Sequence, residues 1–349
     1  MRISILSLAY VSSRFIITKI LYLIQFISLK NKNLEPAVKA GDKILGSFNI
    51  FGRIIYDFRI PNNIKTEIFD LEFPSPIVAA SFKSDVRILE MWLRMGVGGV
   101  IFKTILQNPQ NGNPEPRLQD VDIDGKNGLL NSLGLPGPGI EEFSKQLIDS
   151  RVWNYNRPIG ISIGGHSEIE YVSNVRMIEE NIKNKNTQYF FELNISCPNT
   201  TDGKTITEDL NKLESILGTT RKITERVISI KVTPDASNQT LRKIGEICSS
   251  FDYILINAGN TQYKTPKEVG LDPTYFSMEG GGLSGPQLLK RTIEMVILFS
   301  EFHLPIMATG GISSIEHLRL AKASGADLFG MATSLVLDPY CIPQMNYKI

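Results

Sequence analysis

Cysteine is scarce in this 349-residue chain: only Cys197, Cys248 and Cys341 occur, an odd number too widely spread for a disulfide framework and suited to a reducing compartment. The three histidines, His166, His303 and His317, lie far apart, and none shares a Cys-x-x-Cys or His-x-x-x-His spacing with another ligand. The sequence therefore offers no metal site, and no cysteine cluster that could hold an iron-sulfur centre. An excess of charge of either sign is also missing. Lys plus Arg number 37 against 36 for Asp plus Glu, which excludes the basic field that gathers nucleic acid and leaves no acidic tail. Long uncharged apolar runs are lacking too. Residues 3–29 are rich in Ile, Leu, Phe and Tyr, but Arg14 and Lys19 interrupt them, so each run falls short of the roughly 20 residues of a spanning helix.

Placed on a helix, Arg14, Thr18, Gln25 and Ser28 form one narrow polar stripe, and nearly everything else from Phe15 to Leu29 is apolar. Such a helix is expected to bury most of its circumference. It can do so by packing on the protein's own core, by lying on a membrane surface, or as a cleaved or anchoring segment, although no small-residue cleavage site stands out. Residues 30–40 read as a polar turn with Pro36 in the first turn of a second helix. The expected organisation is a helical extension over residues 1–70 and a catalytic domain over residues 71–349. The expected location is cytoplasmic, with membrane association through the N-terminus if the helix lies on or in a bilayer.

From residue 74 short β-branched runs alternate with longer amphipathic stretches, the pattern of repeated βα units. Eight such runs occur: Pro76–Ala80, Gly99–Lys103, Pro158–Ile163, Tyr189–Ile195, Val227–Val232, Asp252–Asn257, Leu304–Thr309 and Ala326–Ala332. Several are almost continuously apolar, as parallel strands covered on both faces require. The fold class is thus α/β, a (β/α)8 TIM barrel with an N-terminal helical extension. In that fold chemistry gathers at the C-terminal ends of the strands, where Lys103, Asn194, Lys231, Asn257, Gly310 and Gly311 fall. Two connections, Thr104–Gly139 and Asn260–Gly285, exceed ordinary loop length, and their Pro and Gly punctuation predicts ordered, functional turns.

The segment Asn-Ile-Ser-Cys-Pro-Asn, residues 194–199, closes the fourth run. A cysteine there faces the barrel mouth, where it is either an inert small residue or a thiol able to move a proton, and the flanking asparagines suit a planar amide-bearing ligand. Lys103 and Lys231 end apolar strands, so each ammonium needs an anionic ligand or a barrel carboxylate. Glycine clusters at 280–285 and 309–311, with Ala332 and Thr333, come from three consecutive loops near the end of the barrel. Backbone N-H groups in such loops commonly cradle a phosphate.

These pieces resemble the dihydroorotate dehydrogenase family over most of residues 74–335. The matching segments are 102–104, Gly112-Asn-Pro-Glu-Pro-Arg117, Asn131-Ser-Leu-Gly-Leu-Pro136, 194–199, 230–232, 257–260, 282–286 and 310–312. The resemblance implies an FMN-bearing barrel that oxidises dihydroorotate to orotate in pyrimidine synthesis, with Cys197 as the base. By the same resemblance Asn131, Asn194, Asn199, Asn260 and Thr261, with Lys103 between flavin and substrate, would hold the pyrimidine. Ala80, Ser81, Lys103, Thr104, Asn194, Lys231 and Asn257 would contact the flavin ring, and Gly285, Gly310, Gly311, Ala332 and Thr333 its phosphate. Three positions depart from the family pattern: Ser81 and Ala332 stand where glycine is usual, and Gly137 where asparagine is common. A cysteine base resembles the soluble class 1 branch, whereas an apolar helical N-terminus resembles the membrane-bound, quinone-linked branch, which carries serine as base. Fumarate, a quinone, or NAD through a separate iron-sulfur flavoprotein subunit all remain open as acceptor, as does a homodimer. Two competing functions are a flavin enzyme acting on dihydrouracil or dihydrothymine, and a catalytically silent barrel that serves as a scaffold.

Overall fold

The computed structural model describes residues 1–48, 52–185, 188–196, 206 and 209–349. Two helices lead, α1 (Arg2–Ile27) and α2 (Glu35–Ser47), and a hairpin of Thr66–Ile68 and Leu71–Phe73 follows. Then come eight parallel strands: β1 (Ile77–Lys83), β2 (Gly99–Ile105), β3 (Ile159–Ile163), β4 (Tyr189–Asn194), β5 (Ile228–Val232), β6 (Ile254–Ala258), β7 (Ile306–Thr309) and β8 (Leu328–Met331). They close into a barrel in sequence order, each paired with its neighbours and β8 with β1. All eight expected runs are strands of this barrel, so the fold is the expected TIM barrel preceded by helices. The helices after β1, β3, β5 and β7 begin at Asp85, Ser167, Ser237 and Ser314, whose side chains each accept a backbone N-H of the first turn.

Side chains alternate between the lumen and the helical layer. The lower lumen is apolar: Val78, Ile101, Phe190, Val227, Leu255, Met307 and Leu328 pack together, sealed from below by Ile68, Leu71 and Phe73 of the hairpin. Two residues further along the strands the lumen turns polar. Glu192 and Ser229 are in register on β4 and β5, and Asn194, Lys231 and Asn257 share the next level across β4, β5 and β6. Register shifts between Ala79 and Lys83 and between Phe102 and Ile105 bend β1 and β2 at the level where Ser81 and Lys103 leave the wall, a usual place for a bulge beside a functional site.

The two long connections are more regular than expected. They build one antiparallel sheet over the barrel mouth, in the order Gln262–Lys264, Gly281–Ser284, Lys126–Asn131 and Leu118–Ile123. The Asp124-Gly125 pair, both with positive φ, closes its hairpin. That pairing is the sequence signature of a tight two-residue turn, and reading the segment only as ordered turns overlooked it.

α1 does not bury most of its circumference, contrary to the sequence expectation. Of its expected polar stripe, Arg14, Thr18 and Gln25 face the protein and Ser28 is exposed. Ser7 and Tyr10 join the inward side: Ser7 donates to Asp338 at 2.6 Å, Tyr10 to the Val336 carbonyl at 3.0 Å, and Arg14 pairs with Asp120 at 2.6 Å. Gln25 exchanges two hydrogen bonds with the Asn33 backbone. Most of the larger apolar side chains point away, with Leu8 68%, Phe15 61% and Phe26 78% exposed, while Ile3, Leu6 and Tyr10 pack against the core. The stripe turns inward because carboxylates and carbonyls await it there, and because polar groups can be buried cheaply only with partners. α1 also has the length and hydropathy of a membrane-crossing helix, and hardly any of it is buried.

α2 is tied to the sheet over the mouth. The Arg117 guanidinium meets both Glu35 oxygens at 2.9 and 3.1 Å and donates to the carbonyls of Asn111 and Asn113. Both side chains of the pair are about one-tenth exposed, so removing one charge strands the other in a poorly solvated place. Glu35→Gln is expected to lower stability by about 3 kcal/mol, read as a fall in Tm at neutral pH. Hydrogen bonding from Arg117 holds the Glu35 carboxyl below its ordinary range. The unfolded chain therefore takes up this proton first, and the stabilisation, complete above the free glutamate value, fades as pH falls through the lowered folded value. The gap in Tm between the native protein and Glu35→Gln should accordingly narrow below about pH 4.

Candidate active site

A cavity of about 1020 Å³ opens between the C-terminal ends of the strands and the antiparallel sheet above them. Of the residues expected at a site, Ala80, Ser81, Lys103, Thr104, Asn131, Asn194, Lys231, Asn260, Thr261, Gly285, Gly310, Gly311, Ala332 and Thr333 all line it. Cys197 and Asn199 lie outside the described residues. Asn257 is the exception among the rest: it is fully buried beneath the cavity rather than on its wall, with its amide donating to Glu192 at 2.7 Å.

One wall is a continuous run of polar side chains. Asn260 donates to the Ser196 hydroxyl at 2.6 Å, Ser196 donates to the Asn194 side-chain carbonyl at 2.7 Å, and the Asn194 amide reaches Thr104 at 3.0 Å. Thr104 in turn shares a hydrogen bond with Ser162 at 2.9 Å. The rail thus joins the loop after β6 to β4, β2 and β3, and it fixes the side-chain amides of Asn194 and Asn260. Asn131 reaches in from the upper sheet, its amide bonded to the Gly282 carbonyl at 3.1 Å. Ser196, adjacent to Cys197 in sequence and central to the rail, went unnoticed as a separate group because a serine inside a motif carries no signal of its own.

The opposite end is backbone. Gly310 and Gly311 have φ of +124° and +80°, and a Cβ on Gly311 would stand 2.4 Å from the Leu289 nitrogen. Only glycine fits such a close, left-handed approach, which leaves peptide groups rather than side chains at the cavity edge. Thr333 crosses to Ser284 with a 2.8 Å hydrogen bond, joining the loop after β8 to the upper sheet. The hydroxyl oxygens of Thr309 and Ser132, two further cavity residues, have no hydrogen-bond partner among the described residues. Buried polar atoms are ordinarily satisfied, so these two are exceptions on residues that border the cavity.

Two cationic side chains enter the cavity. The Lys103 ammonium donates to the Pro136 carbonyl at 3.0 Å. The Lys231 ammonium donates to Ser81 at 2.9 Å and lies 3.9 Å from the carboxylate of Glu192. For Lys231 the barrel carboxylate considered as an alternative to an anionic ligand is therefore present. Glu192 was missed by sequence reasoning, although a lone glutamate in Tyr-Phe-Phe-Glu-Leu-Asn is a detectable anomaly in a strand otherwise bound for the interior. The other two cysteines, Cys248 and Cys341, are buried, and burial pushes both thiols well above their ordinary range, the state of inert cysteines.

Comparison with known proteins agrees with this architecture. A DHODH from Eimeria tenella solved in complex with ferulenol has the same fold, with a TM-score of 0.74 at 21% identity over 88% of this chain and 89% of that one. Among curated proteins, a catalytic subunit of dihydroorotate dehydrogenase B (NAD(+)) from Carboxydothermus hydrogenoformans is 27% identical over 81% of this chain and 90% of its own length. A dihydroorotate dehydrogenase (quinone) from Thermus thermophilus is 29% identical over 80% of each. Residues 63–349 match the family described as dihydroorotate dehydrogenase, the whole barrel included, and this chain belongs to that family.

Proposed function

We propose that this protein oxidises dihydroorotate to orotate in pyrimidine biosynthesis, with FMN bound in the large cavity. The observation that carries the reading is the rail from Asn260 through Ser196 to Asn194, which presents fixed amide groups to a planar ligand and includes the residue that precedes Cys197 in the sequence. The cavity also suits the cofactor. A glycine-lined edge with exposed peptide groups fits a phosphate, and Lys231 fits the electron-rich end of a reduced isoalloxazine. FMN supplies the hydride acceptor. The chain's own residues do the rest: Cys197 takes the proton from carbon 5 of the substrate as hydride leaves carbon 6. Asn131, Asn194, Asn199, Asn260 and Thr261 hold the ring and carboxylate, and Lys103 stands between the two ligands. Gly285, Gly310, Gly311, Ala332 and Thr333 hold the phosphate, while Ala80, Ser81 and Thr104 flank the flavin ring, with Asn257 supporting it from below.

The acceptor this reading favours is a membrane quinone, rather than fumarate or an NAD-linked partner subunit. α1 carries an uncovered row that includes Leu8, Phe15, Ile16, Ile20, Leu23, Ile24 and Ile27, and each such side chain gains about 1.5–3 kcal/mol on leaving water. The polar ties of Ser7, Tyr10 and Arg14 keep the helix against the protein, so it lies on a bilayer rather than crossing it. Behind it, a cavity of about 120 Å³ is lined by Ile17, Leu45, Met91 and Trp92. The lining of this cavity is mostly apolar, which suits a quinone ring or its tail.

Anaerobic mixing of the flavin-loaded protein with dihydroorotate is expected to bleach the flavin, and Cys197→Ala to slow the bleaching roughly 10²- to 10⁴-fold. Bleaching by dihydrouracil but not by dihydroorotate would transfer the assignment to a dihydropyrimidine dehydrogenase. The full-length protein is further expected to float with phosphatidylcholine vesicles and to reduce a quinone in them. Ile20→Glu with Ile24→Glu should abolish flotation while leaving anaerobic bleaching intact. A native protein that ignores vesicles yet turns over with fumarate would replace the quinone as acceptor.

A further inference from the structure

Glu192 is not on the cavity wall, yet it holds two groups that are. It lies on β4 one lumen level below Asn194, fully buried, with the apolar layer of Phe190, Val227 and Leu255 beneath it. A carboxylate placed there can be satisfied only by side chains. Its partners are the Ser81 hydroxyl at 2.6 Å and the Asn257 amide at 2.7 Å, with the Lys231 ammonium at 3.9 Å.

The direction of each bond is fixed by chemistry. An ammonium only donates and a carboxylate only accepts, so Lys231 donates to Ser81 at 2.9 Å and Ser81 spends its single proton on Glu192. Ser81 therefore has no proton for a ligand and acts as a spacer. It keeps Lys231 from closing directly onto Glu192 and so holds the ammonium up at the cavity floor. A glycine at this position could not make this link.

We infer that Glu192 is a positioning residue for the reaction: through Ser81 it fixes the Lys231 ammonium, and its own charge lowers the electron affinity that Lys231 confers on a bound flavin. This deepens, and rests on, the reading of the cavity as an FMN site. The two parts make opposite predictions. Glu192→Gln keeps the size of the side chain and an acceptor for Ser81, and its amide N-H2 meets Asn257 once that residue turns its own amide oxygen inward. The change removes a negative charge below the flavin, so the anionic reduced flavin gains stability. Ser81→Gly keeps both charges but removes the spacer, so Lys231 can pair with Glu192 directly and withdraw from the flavin.

The measurement is sulfite titration of the FMN-loaded protein, together with the two-electron midpoint potential. Sulfite adds through its sulfur lone pair to flavin nitrogen 5 and leaves negative charge at the nitrogen 1 and carbon 2 carbonyl end, so its affinity reports the charge facing that end. Glu192→Gln is expected to tighten sulfite binding about tenfold, equivalent to about +30 mV for a two-electron couple, and Ser81→Gly to weaken it. Tm and the FMN dissociation constant, read by fluorescence quenching, separate this from simple structural damage, which would move both variants in the same direction. Should Glu192→Gln fail to fold, the sign of the Ser81→Gly shift decides alone. A flavin-loaded native protein that bleaches with dihydroorotate, beside variants whose sulfite affinities match the native value or shift together, overturns this inference alone. A native protein that takes up no FMN overturns the reading beneath it as well.

Discussion

Closure of eight strands around a filled lumen is the constraint from which the rest follows. Each inward side chain is shut off from water unless it lies at the top, and alternation along the strands sorts the lumen into levels. The level of Phe190, Val227 and Leu255 is apolar and plugged from below by the hairpin. The next levels carry Glu192, Ser229, Asn194, Lys231 and Asn257. Polar groups this deep lean on one another, as Glu192 does on Ser81 and Asn257, and Asn194 and Lys231 at the upper level face the cavity. Binding capacity and interior packing are thus two faces of one arrangement.

Legibility in the sequence followed the same logic. Short apolar runs such as Tyr189–Asn194 and Ile228–Val232 announce buried parallel strands because their periodicity is local. The polar residues that end those strands could be placed at a barrel mouth on spacing alone, and most of the expected site residues do line one cavity. Contacts between distant segments could not be read this way. Neither the partnership of Ser81 with Glu192 nor that of Arg117 with Glu35 leaves a local pattern, since each joins residues brought together only by the finished fold. The upper sheet fell between these cases: its Asp124-Gly125 turn was written in the sequence, but its pairing with Gly281–Ser284 was not.

The N-terminal helix shows why composition alone misleads about orientation. An apolar helix with a thin polar stripe suggests that the apolar part is buried, yet burial depends on what the facing surface offers. Here that surface offers Asp120, Asp338 and a backbone carbonyl, so the stripe takes the interior position and the hydrocarbon side chains are left outside. The polar cavity and this outward apolar face coexist in one chain because they belong to structurally separate parts, one above the barrel strands and the other on the flank.

The strand Leu118–Ile123 is the last in its sheet, and what covers it is the N-terminal pair. The Leu34 N-H bonds to the Leu118 carbonyl, Gln119 reaches the Lys32 carbonyl, and Arg14 holds Asp120. Shortening the protein to remove its N-terminal helices would therefore free the Leu118 carbonyl and the side chains of Gln119 and Asp120 and uncover an edge strand, the template on which chains add to one another edge to edge. A barrel trimmed for solubility would exchange one sticky surface for another, so the two helices serve as a cover against self-association as well as an extension.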